Sequence, residues 1–193
     1  MNLDSDLDRA AVRRLASGAL LAANAVTTGA LLGILQWGVF FLLQSFLAST
    51  AVVYLLATCV WLGGGVLGLA VPGDRNGRFE AVWLCAMLGA YFAFRAIAAA
   101  HPYELRALAA LLPTIAVMGA YAGRFFRYRA PAFRAVKWLF FLENCGFLAG
   151  MIWTVVALAR YGERMLADLP LVTGACVLAS VLALRLGPAA PTR

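Results

Sequence analysis

The chain has 193 residues, of which 64% are hydrophobic and only 13% are charged, and its mean hydropathy is +0.85. Soluble domains are nearer about 45–50% apolar and about 25% charged, so this composition excludes an ordinary soluble protein and predicts a polytopic membrane protein. The net charge of +7 does not indicate nucleic-acid binding, because the arginines fall between apolar runs, as charges that fix membrane topology do.

Six apolar runs are each long enough to cross a bilayer, which requires about 20 residues of helix. They cover residues 17–47, 50–71, 79–100, 105–123, 138–159 and 169–186. Pro72 and Gly73 end the second run, as expected where a helix stops. The sequence therefore predicts an all-α fold, a polytopic membrane helix bundle of about six transmembrane helices over residues 17–187. Residues 1–16 are predicted to be a cytoplasmic N-terminal segment, and residues 188–193 a C-terminal tail.

The Lys and Arg residues divide unequally between the two ends of a six-helix bundle. Only Arg95, Arg106, Arg160 and Arg164 fall at one end, and the remaining basic residues fall at the other. Basic residues collect on the cytoplasmic side of membrane proteins. Both termini are therefore predicted to be cytoplasmic, in what we expect to be a bacterial inner (cytoplasmic) membrane.

The fifth run contains a carboxylate and an amide within the stretch LFFLENCGFLAG, residues 139–150. Because an unpaired carboxylate inside a bilayer is costly, Glu143 and Asn144 are predicted to face the interior of the bundle. With a rise of about 1.5 Å per residue, Asn24 and Ser180 lie near the depth of Glu143 and are its predicted hydrogen-bond partners. This intramembrane polar site is either a site for a proton, a cation or a lipid headgroup, or a structural clamp between helices.

A second set of polar residues is predicted near the outer end of the bundle. Arg95 lies about 24 Å along its helix, too far from the depth of Glu143 for an ion pair. It is expected to extend to the outer interface or to meet Gln36 or Gln44 there. His101 follows in the next loop, which either lines an outer vestibule or simply lies at the aromatic belt.

Paired glycines indicate where helices approach closely. Gly64 and Gly68 form one GxxxG pattern, and Gly146 and Gly150 form another. Such patterns allow helix backbones to come into contact inside a membrane. We therefore predict that the second and fifth helices pack through these faces. The alternative is that the glycines are scattered by chance in spans rich in Ala and Gly.

The stretch between the fourth and fifth runs is the most basic in the chain. It carries Arg124, Arg127, Arg129, Arg134 and Lys137, interleaved with phenylalanine and tyrosine. This cytoplasmic basic loop has two interpretations. It either fixes topology and attracts anionic lipids, at about 1 kcal/mol per charge, or provides a docking platform for a cytoplasmic partner.

No pattern indicates a cofactor or a catalytic centre. The four cysteines lie in four different apolar runs without a CxxC pair, which disfavours a zinc or iron–sulfur site. His101 is the only histidine, which excludes a bis-histidine haem within one chain. We therefore expect no metal, no cofactor and no enzymatic activity. The expected partners are membrane lipids and either other protein subunits or further copies of the chain, not nucleic acid.

Three segments resemble a known family. The segments ASTAVVYLLATCVWLGGGVLG, LLPTIAVMGA and LFFLENCGFLAG are similar, in order and rough spacing, to the membrane domain of transmembrane spermidine synthase-like proteins. The resemblance covers roughly residues 30 to 155, and its motifs are patterns of small residues. The chain departs from the family pattern at polar positions. It has Gln36 and Phe41 where the first helix of the family has Glu and Arg, and Glu143 where the fifth has Asn.

Members of this family carry a soluble nucleotide-fold aminopropyltransferase domain after the membrane domain. We expect this chain to lack that domain, because no GxGxxG motif follows a strand and the aspartates lie in tails or loops. The first hypothesis is a non-catalytic integral membrane subunit that anchors or completes a larger membrane complex. The second is a small transporter of a cation, a polyamine or a lipid that uses Glu143. The third is the membrane half of a split aminopropyltransferase.

Overall fold

The chain folds into long helices that run up and down through one bundle. The computed structural model describes residues 3–47, 50–72 and 78–186, and these residues contain six long helices and no strand. The helices are α1 (Leu3–Phe46), α2 (Ala51–Ala70), α3 (Arg78–Ala100), α4 (Leu108–Arg129), α5 (Val136–Tyr161) and α6 (Met165–Leu186). Each contains a stretch that is long and apolar enough to cross a membrane. The predicted all-α helix bundle is therefore confirmed.

Local sequence features set several helix ends. The Thr50 side chain accepts a hydrogen bond from the Val53 backbone N–H at 3.4 Å and caps the start of α2. Pro72 follows the end of α2, where a helix cannot continue. Gly162, directly after α5, has a φ of 75°, a left-handed conformation that glycine adopts without steric cost. These positions fix where the chain turns between spans.

Two helices extend six residues or more beyond the ends of their predicted apolar runs. α1 begins at Leu3, so the predicted N-terminal segment continues into the first membrane helix without a break among the described residues. α4 continues to Arg129 and is followed by a 3-10 turn at Ala130–Ala132. The first part of the predicted basic loop is therefore the end of a helix. Arginine is a good helix former, and no proline lies between Arg124 and Pro131.

Helix α1 occupies the centre of the bundle. In its apolar stretch 61% of the residues are buried, compared with 28–33% in the other five helices. α3, α5 and α6 pack directly on α1, whereas α2 packs on α4, and α4 in turn packs on α3. A helix surrounded in this way must be apolar on several sides, as the buried Leu31, Leu35 and Leu43 illustrate.

Glycine brings α1 and α5 into backbone contact. A Cβ atom on Gly146 would fall 2.0 Å from the carbonyl oxygen of Val26, and one on Gly29 would fall 2.0 Å from that of Glu143. Gly150 lies equally close to α1. Any larger side chain at these positions would push the two helices apart.

Glycine joins α2 and α4 in the same way. A Cβ atom on Gly64 would fall 2.2 Å from the carbonyl oxygen of Ala116, and one on Gly68 would fall 2.0 Å from that of Ala120. The glycines do lie at helix contacts, but the predicted pairing of the second helix with the fifth is wrong. No comparable contact joins α2 to α5 in the described part of the chain. The GxxxG face of α2 instead packs against Gly119 and Gly123 on α4. The GxxxG face of α5 packs against Gly29 and Gly33 on α1.

A tyrosine hydroxyl compensates for a proline near the start of α6. Pro170 has no backbone N–H, so the Leu166 carbonyl lacks its usual donor four residues ahead. The Tyr91 hydroxyl of α3 donates to this carbonyl at 2.8 Å. Gly38 of α1 leaves room for the tyrosine, because a Cβ atom there would fall 2.5 Å from its hydroxyl. This contact ties α1, α3 and α6 together far from the polar residues described next.

Candidate functional site

Most of the buried polar side chains lie at one end of the bundle, which we call the arginine-rich end. It is formed by the ends of α2, α4 and α6 and the starts of α3 and α5, and it carries Arg124, Arg127, Arg129, Arg134, Lys137 and Arg185. Asn24, Thr28, Glu80, Arg129 and Glu143 are each more than nine-tenths buried there. Further along α5, Thr154 is the other buried polar side chain in the described residues, and its hydroxyl donates to the Gly150 carbonyl at 2.8 Å.

Glu80 and Arg129 form a buried ion pair between α3 and α4. A terminal nitrogen of Arg129 lies 2.9 Å from Glu80 Oε1 and donates a hydrogen bond of 3.0 Å to Oε2. The two side chains are only 7–8% exposed. Arg185, in the last turn of α6, lies within electrostatic range of Glu80. Two other helices, α4 and α6, therefore place positive charges near this buried carboxylate, which would be costly without them.

Two hydroxyl groups lie beside this pair without a hydrogen bond of their own. Tyr121 of α4 is within electrostatic range of Glu80 and Arg129, and the Thr28 side chain of α1 lies next to it. In the described residues, neither the Tyr121 hydroxyl nor Thr28 Oγ1 has a partner in hydrogen-bonding geometry. A small cavity adjoins Glu80, Tyr121 and Arg124 and is otherwise lined by aromatic side chains.

The hydrogen-bond partners of Glu143 differ from those predicted. Glu143 is buried, with an exposed fraction of 6%. Its carboxylate accepts a hydrogen bond of 3.2 Å from the amide of Asn144, which also donates to the Phe140 carbonyl at 2.8 Å. No ion pair involves Glu143 in the described part of the chain. The carboxylate is thus held by its own helix.

Asn24 and Ser180 bond to each other and not to Glu143. The Asn24 amide of α1 donates to the Ser180 hydroxyl of α6 at 2.8 Å, and Ser180 donates in turn to the Val177 carbonyl at 2.7 Å. The prediction that both are hydrogen-bond partners of Glu143 is therefore wrong for the described residues. The depth of the three residues is similar, but Asn24 faces α6, whereas Glu143 lies on α5.

The predicted basic loop is largely engaged with the protein itself. Arg127 donates to the carbonyls of Leu69 and Ala70, and Arg124 donates to a carbonyl just beyond α2 at 3.1 Å. Basic side chains in such positions satisfy the free carbonyls at a helix end. Arg129 is buried in the ion pair, which corrects its assignment to an open loop. Arg134 is exposed in the loop, whereas Lys137, which was also predicted in the loop, is exposed in the first turn of α5.

A small charged group is exposed at the opposite end of the bundle. His101 Nδ1 lies 3.4 Å from Glu104, which also accepts a hydrogen bond of 2.7 Å from Arg106. The hydrogen bond from Arg106 lowers the pKa of the Glu104 carboxyl below its usual value. All three side chains are at least partly open to solvent, so His101 belongs to a surface loop contact.

Arg95 does not contact either of the two glutamines predicted near its depth. It is half-buried on α3, one turn from Tyr91. In the described chain no hydrogen bond joins Arg95 to the half-buried Gln36 or to the exposed Gln44. Extension of Arg95 to the outer interface therefore stays the prediction for this residue.

Sequence reasoning missed the Glu80–Arg129 pair, although one pattern indicates it. Both residues lie at the edges of apolar runs, where charges are normally solvated. The buried face of α4 nevertheless runs through Leu111, Ile115, Met118 and Phe125 and continues to Arg129 at helical spacing. Arg129 therefore lies on the core-facing side of its helix.

Comparisons with known proteins do not identify the site. In the described residues, no group of three or more His, Cys, Asp or Glu side chains could hold a metal ion. No family model, no curated protein and no solved structure matches the chain. The resemblance to the membrane domain of spermidine synthase-like proteins therefore stays a prediction.

Proposed function

We propose that the chain is a non-catalytic integral membrane subunit, whose bundle anchors or completes a larger membrane complex. The observation that carries the proposal is the distribution of buried polar groups. They concentrate at the arginine-rich end, and most of them bond to a neighbouring side chain. A transport pathway would require polar groups that continue through the bundle.

The other half of the bundle supports the same function. Its core is filled by large apolar side chains, namely Leu35, Leu43, Met87, Phe94, Leu111, Ile115 and Met118. The hydroxyls of Tyr91 and Thr154 each donate directly to a backbone carbonyl there. A core of this kind suits a rigid scaffold and offers no chain of polar groups across it.

The outer surface suits contact with lipid and with other subunits. Large apolar side chains are exposed along α2 and α5, namely Val52, Leu55, Leu62, Val66, Leu148, Ile152, Trp153 and Val156. In a membrane such faces are covered by acyl chains or by neighbouring helices. We place the arginine-rich end on the cytoplasmic side of a bacterial inner membrane, since basic residues collect there.

Purification from native membranes tests the proposal. A tagged chain expressed at its natural level is extracted in mild detergent, and its partners are identified by mass spectrometry. An unrelated six-helix membrane protein with the same tag is the control. We expect stoichiometric co-purification of at least one other subunit, which in the split-enzyme hypothesis is an aminopropyltransferase-like protein. A monodisperse monomer without a partner would contradict the proposal.

A second candidate function is favoured by Glu143. Its buried carboxylate has only the Asn144 amide as a hydrogen-bond donor among the described residues, which leaves it able to bind a cation or the ammonium group of a polyamine. Glu143→Gln tests this transporter, with the exposed Glu163→Gln as the matched control. Loss of transport with intact assembly supports the transporter. Loss of assembly instead assigns Glu143 a structural role in the bundle.

A further inference from the structure

The polar cluster beside the Glu80–Arg129 pair contains more hydrogen-bonding groups than the described protein atoms satisfy. The Tyr121 hydroxyl, Thr28 Oγ1 and Arg129 Nε are buried without a hydrogen-bond partner there. The three side chains are 0–6% exposed, so bulk water does not cover them. A buried polar group without a partner is destabilising, so three of them in one cluster indicate a further hydrogen-bonding group.

The chemistry of the cluster defines what can satisfy these groups. Arg129 Nε only donates and the Glu80 carboxylate only accepts, whereas the hydroxyls of Tyr121 and Thr28 do both. A bare cation would be repelled by Arg129, and an anion would be repelled by Glu80. The occupant must therefore be a neutral group that both donates and accepts hydrogen bonds.

The available space restricts the occupant further. The cavity next to this cluster has a volume of about 10 Å³ and is bounded by Glu80, Tyr121, Arg124 and Phe125, among others. A volume of about 10–15 Å³ accommodates one water molecule. A lipid headgroup or a polyamine is several times larger.

We propose that the arginine-rich end contains a buried water site, in which at least one ordered water bridges the Tyr121 hydroxyl to the Glu80–Arg129 pair. Thr28 is the next hydrogen-bonding group along the cluster and belongs to the same site. Glu80 and Arg129 already join α3 to α4 by a direct hydrogen bond, and the water site extends this connection to Thr28 of α1. The site is independent of any partner subunit.

Radiolytic hydroxyl labelling of the wild-type protein in lipid nanodiscs tests the site directly, because radicals formed from a bound water oxidise the nearest side chain. Tyr121 and Tyr91 form a matched pair, with exposed fractions of 1% and 0%. Tyr91, however, donates directly to the Leu166 carbonyl. We expect Tyr121 to be labelled several-fold faster than Tyr91. Equal labelling of the two tyrosines would overturn the proposal.

The thermal stability of Thr28→Val and Tyr121→Phe gives a second test. If a water occupies the site, each substitution removes one of its hydrogen bonds and lowers the Tm, and the two effects are not additive. If the site is dry, each substitution removes an unsatisfied polar group and leaves the Tm unchanged or raises it. That second outcome would overturn the proposal. Should a variant fail to fold, the labelling of the wild-type protein still decides.

Discussion

Replacing Glu80 by Gln leaves the Arg129 guanidinium buried without its counter-ion. At the observed 2.9 Å and an effective dielectric constant of about 20, the attraction between the two charges is about 6 kcal/mol. Moving both ions out of water costs several kcal/mol each, so the net contribution of the intact pair is close to zero. Removing one partner is different, because the other stays buried and charged. We expect Glu80→Gln to lower the free energy of unfolding by about 3–5 kcal/mol.

Because of Arg185, the substitution of Glu80 and the substitution of Arg129 should destabilise the protein to different extents. It lies within electrostatic range of Glu80, so Arg129→Gln leaves the carboxylate with one remaining cation. Glu80→Gln instead leaves two cations near each other without an anion. We therefore expect Glu80→Gln to be the more destabilising of the two single substitutions.

Reversible unfolding in mixed detergent micelles measures these effects. A double-mutant cycle compares Glu80→Gln, Arg129→Gln and the variant carrying both, and the double variant should cost less than the sum by about 2 kcal/mol. The exposed Arg134→Gln is the control and should stay within about 0.5 kcal/mol of wild type. Additive effects, or single substitutions that fall within the range of the control, would refute the buried ion pair as an energetic unit.

Three further predictions concern the helix contacts and the topology. Gly68→Val should prevent α2 from reaching α4 and lower the yield of folded protein. Gly63→Val, on the open side of the same helix, should leave the yield unchanged. Equal yields of the two variants would contradict the packing of α2 on α4. Tyr91→Phe should lower the free energy of unfolding by about 1–3 kcal/mol. Adding Pro170→Ala should reduce this loss, because alanine restores a backbone N–H that can bond to the Leu166 carbonyl. If unfolding measurements show the same loss with and without Pro170→Ala, Tyr91 does not compensate for the proline. A C-terminal tag should be accessible only from the cytoplasmic side in protease protection, and digestion from outside would overturn the proposed orientation.

The sequence predicts the helices of this fold well because the bilayer imposes their length. About 20 apolar residues are required to cross it, and each of the six runs meets that condition. The apolar runs place the end of α4 too early, because arginine is common both in loops and in helix ends. Arg124, Arg127 and Arg129 fit a helix equally well when their side chains reach carbonyls or a carboxylate.

The partners of the helices were harder to predict than their existence. A GxxxG pattern indicates that a backbone approaches, but it does not specify which of several similar faces it meets. Four helices carry such a pattern here, through Gly29, Gly64, Gly119 and Gly146, and the pairing chosen from two of them was wrong. Shape complementarity between whole helix faces decides this choice, and it is not visible in the spacing of glycines.

In the candidate site, too, the sequence predicts the depth of a side chain in the bundle but not the direction in which it points. The rise per residue placed Asn24, Ser180 and Glu143 at a similar depth, and the hydrogen bond between Asn24 and Ser180 agrees with that estimate. Depth does not say towards which neighbour a side chain turns. Asn24 turns to α6, while Glu143 is held by Asn144 on its own helix.

The central position of α1 has a consequence for how the protein is made. α1 precedes α2–α6 in the chain, and the hydroxyl that pairs with the Asn24 amide lies 156 residues later, on α6. At a synthesis rate of about 5–20 residues per second, this interval lasts roughly 8 to 31 s. During that time the polar face of α1 has none of its native partners from α6. We therefore expect the contact between α1 and α6 to form late in the synthesis of the bundle.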